Sequence, residues 1–282
     1  MLYLVLTNIA HLFSCLPRQI TIRLGKLFGL LFFFLGIRKK VATINLEIAF
    51  SNKTNWERKL ILIKSYMHHG IVLSDFFRQI SLGRDALNKM LIIDKKTKKT
   101  LSENTGGCIM SAHLGNWEMI LPSLGLNNIP MLTVIQKQSS DGINDFYKRL
   151  RTFPNITLIE KGDLLKEMYR ALEKNIYLGL ASDQNAGKRG VQVDFFNKPS
   201  SIPKGTARFH NSTGCKVVIV YCLLLESGKY ALRARNIMNE ISEDSSEGNI
   251  CSIFSSDLES FVRKYPEQYF WFHRRWGKNI YN

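Results

Sequence analysis

A chain of 282 residues is long enough for one large domain or two small ones with a sizeable core. With 45% hydrophobic, 11% aromatic and 22% charged residues, it is neither a disordered tail, nor a coiled coil, nor a polytopic membrane protein. Lys and Arg outnumber Asp and Glu by 39 to 23, a net charge of +16, so the surface favours anionic partners: nucleic acid, membrane lipid or an acidic substrate.

The excess basicity travels with the most apolar part of the chain. Residues 1–100 carry 17 Lys and Arg against 5 Asp and Glu, the pattern of a protein lying on an anionic leaflet. A nucleic-acid binder more often places its cations on polar helices. Residues 1–16 hold no charged side chain and end at Pro17, and a second apolar run, Leu27 to Ile37, leads directly into Arg38, Lys39 and Lys40. Neither run reaches the roughly 20 apolar residues of a spanning helix, which leaves a tilted span including Leu24 to Ile37 open. A secretory signal peptide fits poorly, because no basic residue precedes the first run and no small-x-small cleavage site follows it. The expected arrangement is one or two helices embedded in the interface. Arg18, Arg23, Lys26 and the 38–40 cluster then meet phosphate headgroups on the cytoplasmic side. The alternative is that both runs are buried helices of a globular core. Residues 1–40 are accordingly read as a membrane-anchoring segment and 41–282 as the globular domain.

From Asn55 to about Ile80 the apolar residues recur at helical spacing, which predicts one long amphipathic helix or two. A polar stretch, Asp94 to Asn104, precedes a short apolar run entered through Gly106 and Gly107, read as a buried strand. Further strands are expected at Met131 to Ile135, Ile176 to Ala181 and Val217 to Leu225, with a helix from Leu164 to Lys174. Strands alternating with helices predict an α/β sheet sandwich. The five cysteines are an odd number without C-x-x-C or zinc-like spacing, which argues against a disulfide framework or a structural metal. Cys108, Cys215 and Cys222 read as small core residues. His68, His69 and His210 lack ligand partners at useful spacing and read as surface or core residues; His273 reads as structural.

The strongest chemical signal is His113 with Glu118 five positions on, directly after a buried strand. On a continuous helix these would point about 140° apart and serve different sites. The histidine is therefore expected in a strand-to-helix turn, with Gly115 and Asn116 as turn and N-cap residues. Glu118, in the first helical turn, then reaches back to hold the imidazole while its other nitrogen takes a proton. A His and an acid at this spacing are common by chance, but the end of a strand in an α/β sheet is where ligands gather. There is no G-x-S-x-G elbow, and Cys108 lies inside the strand, so no protein nucleophile accompanies the base. A base alone points to direct activation of a substrate hydroxyl.

The pair His113/Glu118 resembles the H-x-x-x-x-D/E motif of the lysophospholipid acyltransferase superfamily, and SAHLGNWEM (111–119) is similar to its lipid A late-acyltransferase branch. The resemblance extends through INLEIAF (44–50), DQNAGKRGVQVDFF (183–196), IPKGTARF (202–209) and PEQYFWFHRRWG (266–277), in the family's order. It implies a mixed α/β sheet flanked by helices, of glycerolipid acyltransferase type. It also implies a bacterial inner-membrane enzyme that moves a fatty acyl chain from acyl carrier protein to a hydroxyl of a lipid A precursor. His113 would be the general base and Glu118 its orienting carboxylate. Asp183 and Gln184 would face the same sheet edge, and Lys188 and Arg189 would meet lipid phosphates or the phosphopantetheine arm. Pro203, Lys204 and Arg208 fall in the later block, near donor or headgroup.

Duller readings stand beside these: Asp183 and Gln184 capping a turn, and Lys188 to Gly190 as a solvated loop. The cluster Trp271 to Trp276 suits stacking on nucleic acid as well as a membrane interface; the resemblance favours packing plus phosphate contact, with no nucleic-acid partner. Where relatives carry an Arg near the end of the strand after the His motif, this chain has Lys137, which keeps the charge but loses the bidentate fork. Asp75 stands where relatives often have Glu. The implied chemistry requires no cofactor, metal or nucleotide. A different glycolipid or phospholipid acceptor, or a non-catalytic basic protein on an anionic lipid surface, are the competing functions.

Overall fold

In this computed structural model residues 2–103, 106–138, 140–160, 165–242 and 246–282 are described. Four helices come first: α1 (Leu2–Cys15), α2 (Arg18–Phe34), α3 (Lys39–Ala49) and α4 (Asn55–Arg78). They are followed by α5 (Arg84–Met90), β1 (Leu91–Ile93), α6 (Lys95–Ser102), β2 (Gly107–Gly115), α7 (Ile120–Gly125), β3 (Met131–Ile135), α8 (Asp141–Arg151) and β4 (Ile156–Glu160). The remainder comprises α9 (Leu165–Glu173), β5 (Tyr177–Ala181), β6 (Val191–Phe195), β7 (Lys198–Ile202), α10 (Gly205–Thr213), β8 (Val217–Leu224), β9 (Tyr230–Asn236) and α11 (Glu247–Lys264). Leu164, the expected first residue of the ninth helix, and Asn104, the end of the expected polar stretch, lie outside the described residues. That polar stretch is itself a helix, α6, started by Asp94 accepting the Thr97 amide at 2.7 Å.

Seven strands form one sheet in the order β1-β9-β8-β2-β5-β3-β4, parallel except for the β8–β9 hairpin, while β6 and β7 make a separate antiparallel ribbon. The central strands are buried on both faces, which is why they read as continuous apolar runs. On β8, Val217, Ile219, Tyr221 and Leu223 enter one core with α11 and the β6–β7 ribbon, and Val218, Val220 and Cys222 enter the core on the opposite face. Trp271 and Trp276, both fully buried, anchor the C-terminal segment in the first of these cores, and Arg275 is buried between them. The indole and guanidinium groups predicted for packing are therefore inside, and only Arg274 of that basic pair is exposed.

Helix α4 starts at a capping box, with the Thr54 hydroxyl accepting the Glu57 amide and Glu57 accepting the Thr54 amide at 2.8 Å. Helix α2 lies across it at very short range, made possible by Gly25, Gly29 and Gly70 on the touching faces. Arg18 does not face phosphate headgroups as expected. Its guanidinium is 3.0 Å from Asp75, whose side chain is 1% exposed, and it also bonds the Gly228 carbonyl. A carboxylate buried at the end of α4 needs a cation, and the start of α2 supplies it. The opposite faces of α1 and α2 remain apolar and exposed, Leu4 at 63%, Leu27 at 61% and Phe34 at 78%. Among the described residues no single helix is long and apolar enough to cross a membrane; α2 and α3 together have the length and composition but meet at 96°.

Candidate active site

The C-terminal ends of β2, β5 and β3 border a cleft of about 560 Å³. In β2, the pairing with β8 shifts register between Ser111 and Gly115, so the intervening backbone leaves the ladder. The freed His113 carbonyl accepts the Phe270 amide at 2.9 Å, and the His113 amide donates to Asp183 Oδ2 at 3.0 Å. Gly115 closes the bulge at φ +66°, where a Cβ would lie 2.1 Å from the Cys222 carbonyl oxygen; only glycine fits. His113 is thereby turned into the cleft from the end of the strand itself. Asn116 does not cap the next turn as expected: its side-chain amide donates to the Tyr230 hydroxyl at 3.0 Å. A single 3₁₀ turn, Trp117–Met119, leads into α7.

Asp183, two residues past the end of β5 and buried, meets the imidazole at Oδ1···Nδ1 2.8 Å, while Gln184 Nε2 stands 3.3 Å from Nε2. With Asp183 binding both the backbone and Nδ1–H of His113, the proton sits on Nδ1 and Nε2 carries the lone pair toward the cleft. Trp117 and Phe270 pack on the ring with centroids 4.9 and 6.0 Å away.

The carboxylate that holds the imidazole is thus Asp183, where Glu118 was expected. Glu118 lies on the wall of the same cleft but is engaged by a two-pronged contact with Arg151, Nη2 to Oε1 at 2.6 Å and Nε to Oε2 at 2.9 Å, and by the Trp117 indole N–H at 3.2 Å. The fork of a guanidinium matches a carboxylate's two oxygens and takes it up in preference to a single imidazole donor. Arg151, at the end of α8 and held over the rings of Phe76 and Tyr147, is the site residue that the sequence hides. It closes a run with Lys148 and Arg149, and nothing in the spacing separates it from them.

The remaining expected residues spread over neighbouring surfaces. Lys137 points away, exposed and 3.9 Å from Asp141, and the cation facing the cleft is Arg151. Lys204 and Arg208 both pair with Glu247, at 3.2 and 2.9 Å, fastening α10 to α11; Pro203 beside them lines the cleft. Lys188 and Arg189 lie on a short 3₁₀ turn past Asn185. His68 is buried and His69 half-buried, with His68 Nε2 3.1 Å from the Gly115 carbonyl, and Cys108 and Cys222 are core residues.

A model of bacterial lipid A biosynthesis acyltransferases matches residues 2–278. The chain belongs to that family. The Escherichia coli K12 lipid A biosynthesis palmitoleoyltransferase is 22% identical over 247 residues, 86% of this chain and 79% of that protein. The lipid A biosynthesis lauroyltransferase of the same organism is 25% identical over 276 residues, 92% of this chain and 86% of its own. A phosphatidylinositol mannoside acyltransferase of Mycolicibacterium smegmatis is 24% identical over 186 residues, 62% of this chain and 58% of that one. The protein is an acyltransferase.

With His113 as the base, its ionisation would set the working pH. Burial pulls the imidazole's pKa down, but the charge and hydrogen bond of Asp183, with the charge of Glu118, outweigh it and hold the pKa above the ordinary 6.5. Asp183, despite its burial, is held below the usual carboxylate range by His113. A base works only when neutral, so activity carried by His113 would rise with pH through the raised value. The acidic limb of the kcat/KM profile is expected above pH 6.5, and Asp183→Asn moves it to lower pH; a limb unmoved by that change would separate Asp183 from the titrating group. For stability the sign is opposite: the contribution of the protonated imidazole is complete below the unfolded pKa near 6.5 and fades as pH rises through the folded value.

Proposed function

We propose that this family member transfers a fatty acyl chain from an acyl carrier protein thioester to a hydroxyl of a lipid A precursor. The observation that carries the reading is the imidazole of His113, bound through Nδ1 to Asp183 and presenting Nε2 to a cleft that Ile109, Ile120, Leu121 and Met131 also line. The acceptor hydroxyl gives its proton to Nε2 and attacks the thioester carbonyl; the tetrahedral intermediate collapses by expelling the thiolate, which takes the proton back from the imidazolium. Gln184, already aimed at Nε2, yields that position to the hydroxyl and can donate its amide to the oxyanion. These apolar side chains would receive the acyl chain. Glu118 and Arg151 neutralise each other at the cleft rim and fix its charge balance. A strongly basic protein suits an acidic carrier as donor.

The exposed apolar faces of α1 and α2, followed by Arg38, Lys39 and Lys40, support an interfacial anchor made by residues 1–40 at the cytoplasmic face of the bacterial inner membrane.

Labelled acyl transfer by membranes containing the protein, supplied with acyl carrier protein or coenzyme A thioesters and with lipid A precursor, lysophospholipid or mannosylated phosphoinositide, tests the reading. Product on the lipid A precursor from the carrier thioester is expected. Transfer to a mannosylated phosphoinositide alone would keep the chemistry and replace the acceptor, an outcome that the mycobacterial relative makes worth including.

A further inference from the structure

Beside the catalytic cleft, and sharing Asn185 with it, lies a second cleft of about 750 Å³ between the turn after Asn185, the β6–β7 ribbon and the C-terminal segment. Its cations are Lys188, Arg274 and Lys278, with His273 beside them, and no Asp or Glu lines it. Nearby, Lys204 and Arg208 are both matched by Glu247. Among the described residues Lys188, Arg274 and Lys278 have no acidic partner. Three cations and no carboxylate in the lining of one cleft favour an anion there.

The walls are held in place. The Asn185 side-chain amide donates to the Trp276 carbonyl at 2.7 Å and its Oδ1 accepts the Gly187 amide at 2.8 Å, while the Ser201 hydroxyl donates to the Gly187 carbonyl at 2.7 Å. The Trp276 amide donates to the Tyr281 hydroxyl at 3.1 Å, which pins the turn bearing Lys278. A prearranged cleft of this volume, with three cations on its wall beside Pro199 and Trp276, exceeds a bare phosphate and has room for a sugar carrying one.

We propose that this second cleft binds the phosphorylated saccharide head of the acyl acceptor, with Lys188, Arg274 and Lys278 on the phosphate, and so delivers a sugar hydroxyl past Asn185 to His113. The proposal rests on the acceptor class given under the proposed function. The carrier's phosphopantetheine arm offers the same phosphate-ester chemistry, but its pantetheine chain is thin and flexible and does not call for a broad cleft separate from the thioester's own. Arginine supplies a fork for phosphate oxygens and lysine a point charge, so Arg274 contributes direction and the lysines attraction.

The test compares wild type with the variant Arg274→Gln/Lys278→Gln, using a phosphorylated lipid A precursor, the same lipid after phosphatase treatment, and the carrier thioester. The expected result is a rise of about 10-fold or more in KM for the phosphorylated acceptor. Wild type should show a similar weakness toward the dephosphorylated lipid, on which the variant loses nothing further, and the KM for thioester should stay at its wild-type value. Arg274→Lys should recover part of the loss. A rise in thioester KM instead would assign the cleft to the donor, and equal losses on both lipids would remove the phosphate from the account; either overturns the proposal. Calorimetry with glucosamine 1-phosphate against glucosamine needs no turnover. Binding of the former alone, abolished in the double variant with an unchanged melting temperature, supports the cleft even if transfer proves to use another lipid, and absence of binding together with an unchanged acceptor KM overturns it.

Discussion

Replacing His113 by alanine is expected to lower kcat for acyl transfer by about 10^3-fold or more, and Asp183→Asn by about 10^3-fold, with little change in KM for the thioester. The two losses should not add, because Asp183 acts through the imidazole: it binds Nδ1 at 2.8 Å and the backbone amide of the same residue at 3.0 Å. An amide at position 183 can present its NH₂ to Nδ1, select the wrong tautomer and leave Nε2 protonated and useless as a base. Glu118→Gln is expected to lower turnover as well, by about 10^2-fold, but through a different route. It releases the half-buried guanidinium of Arg151, whose positive charge then disfavours protonated His113. The double change Glu118→Gln/Arg151→Gln should therefore recover activity over Glu118→Gln alone, and no second change should rescue Asp183→Asn in that way. Steady-state kinetics with pH profiles for these variants check the scheme. If Asp183→Asn kept full turnover, or if Glu118→Gln moved the acidic limb further than Asp183→Asn, Glu118 would be the carboxylate that acts on the imidazole during the reaction.

What the sequence could and could not disclose follows from how far each interaction reaches along the chain. The strand at Met131–Ile135 and the helix at Asn55–Arg78 were readable because periodicity and breakers are local. Strands β4, β6, β7 and β9 were not, since Ile156–Glu160 and Tyr230–Asn236 mix polar and apolar residues and take their pairing from distant partners. The histidine at the end of β2 and the presence of Asp183 and Gln184 on the same edge were legible from strand placement. Which acid holds the imidazole was not: the bulge at Ala112–Leu114 and the Arg151 fork, 33 residues beyond Glu118, decide it, and neither leaves a mark at short range. In the same way Arg18 looked like a headgroup contact because its partner, Asp75, is 57 residues away on α4.

The α2–α4 crossing carries the largest expected effect on stability, from Gly29→Val. A Cβ at position 29 would stand 2.1 Å from the Tyr66 carbonyl oxygen and 2.5 Å from its carbonyl carbon, and these are backbone atoms of α4 that cannot turn aside. A Cβ on Gly70, from the other side, would lie 1.9 Å from the Gly25 carbonyl oxygen, so the two helices approach at their glycines as small-residue faces allow. Valine adds three carbons where none fits and forces the helices apart. The separation strips packing from Phe33 and Tyr66, whose rings meet edge to face at 5.6 Å, and strains the Arg18 to Asp75 pair at the end of the same interface. A loss of about 3 kcal/mol and a melting temperature lower by about 5 to 10 °C are expected. Gly36→Ala, at an exposed corner with open space around it but φ +69°, serves as the comparison that costs only backbone strain, about 1 kcal/mol. Thermal unfolding of the detergent-solubilised protein decides the matter. Equal melting temperatures for the two variants would mean that α2 is held to the domain by something other than this contact. A large drop for Gly29→Val would show instead that the helix bearing the exposed apolar face is built into the globular domain through its contact with α4.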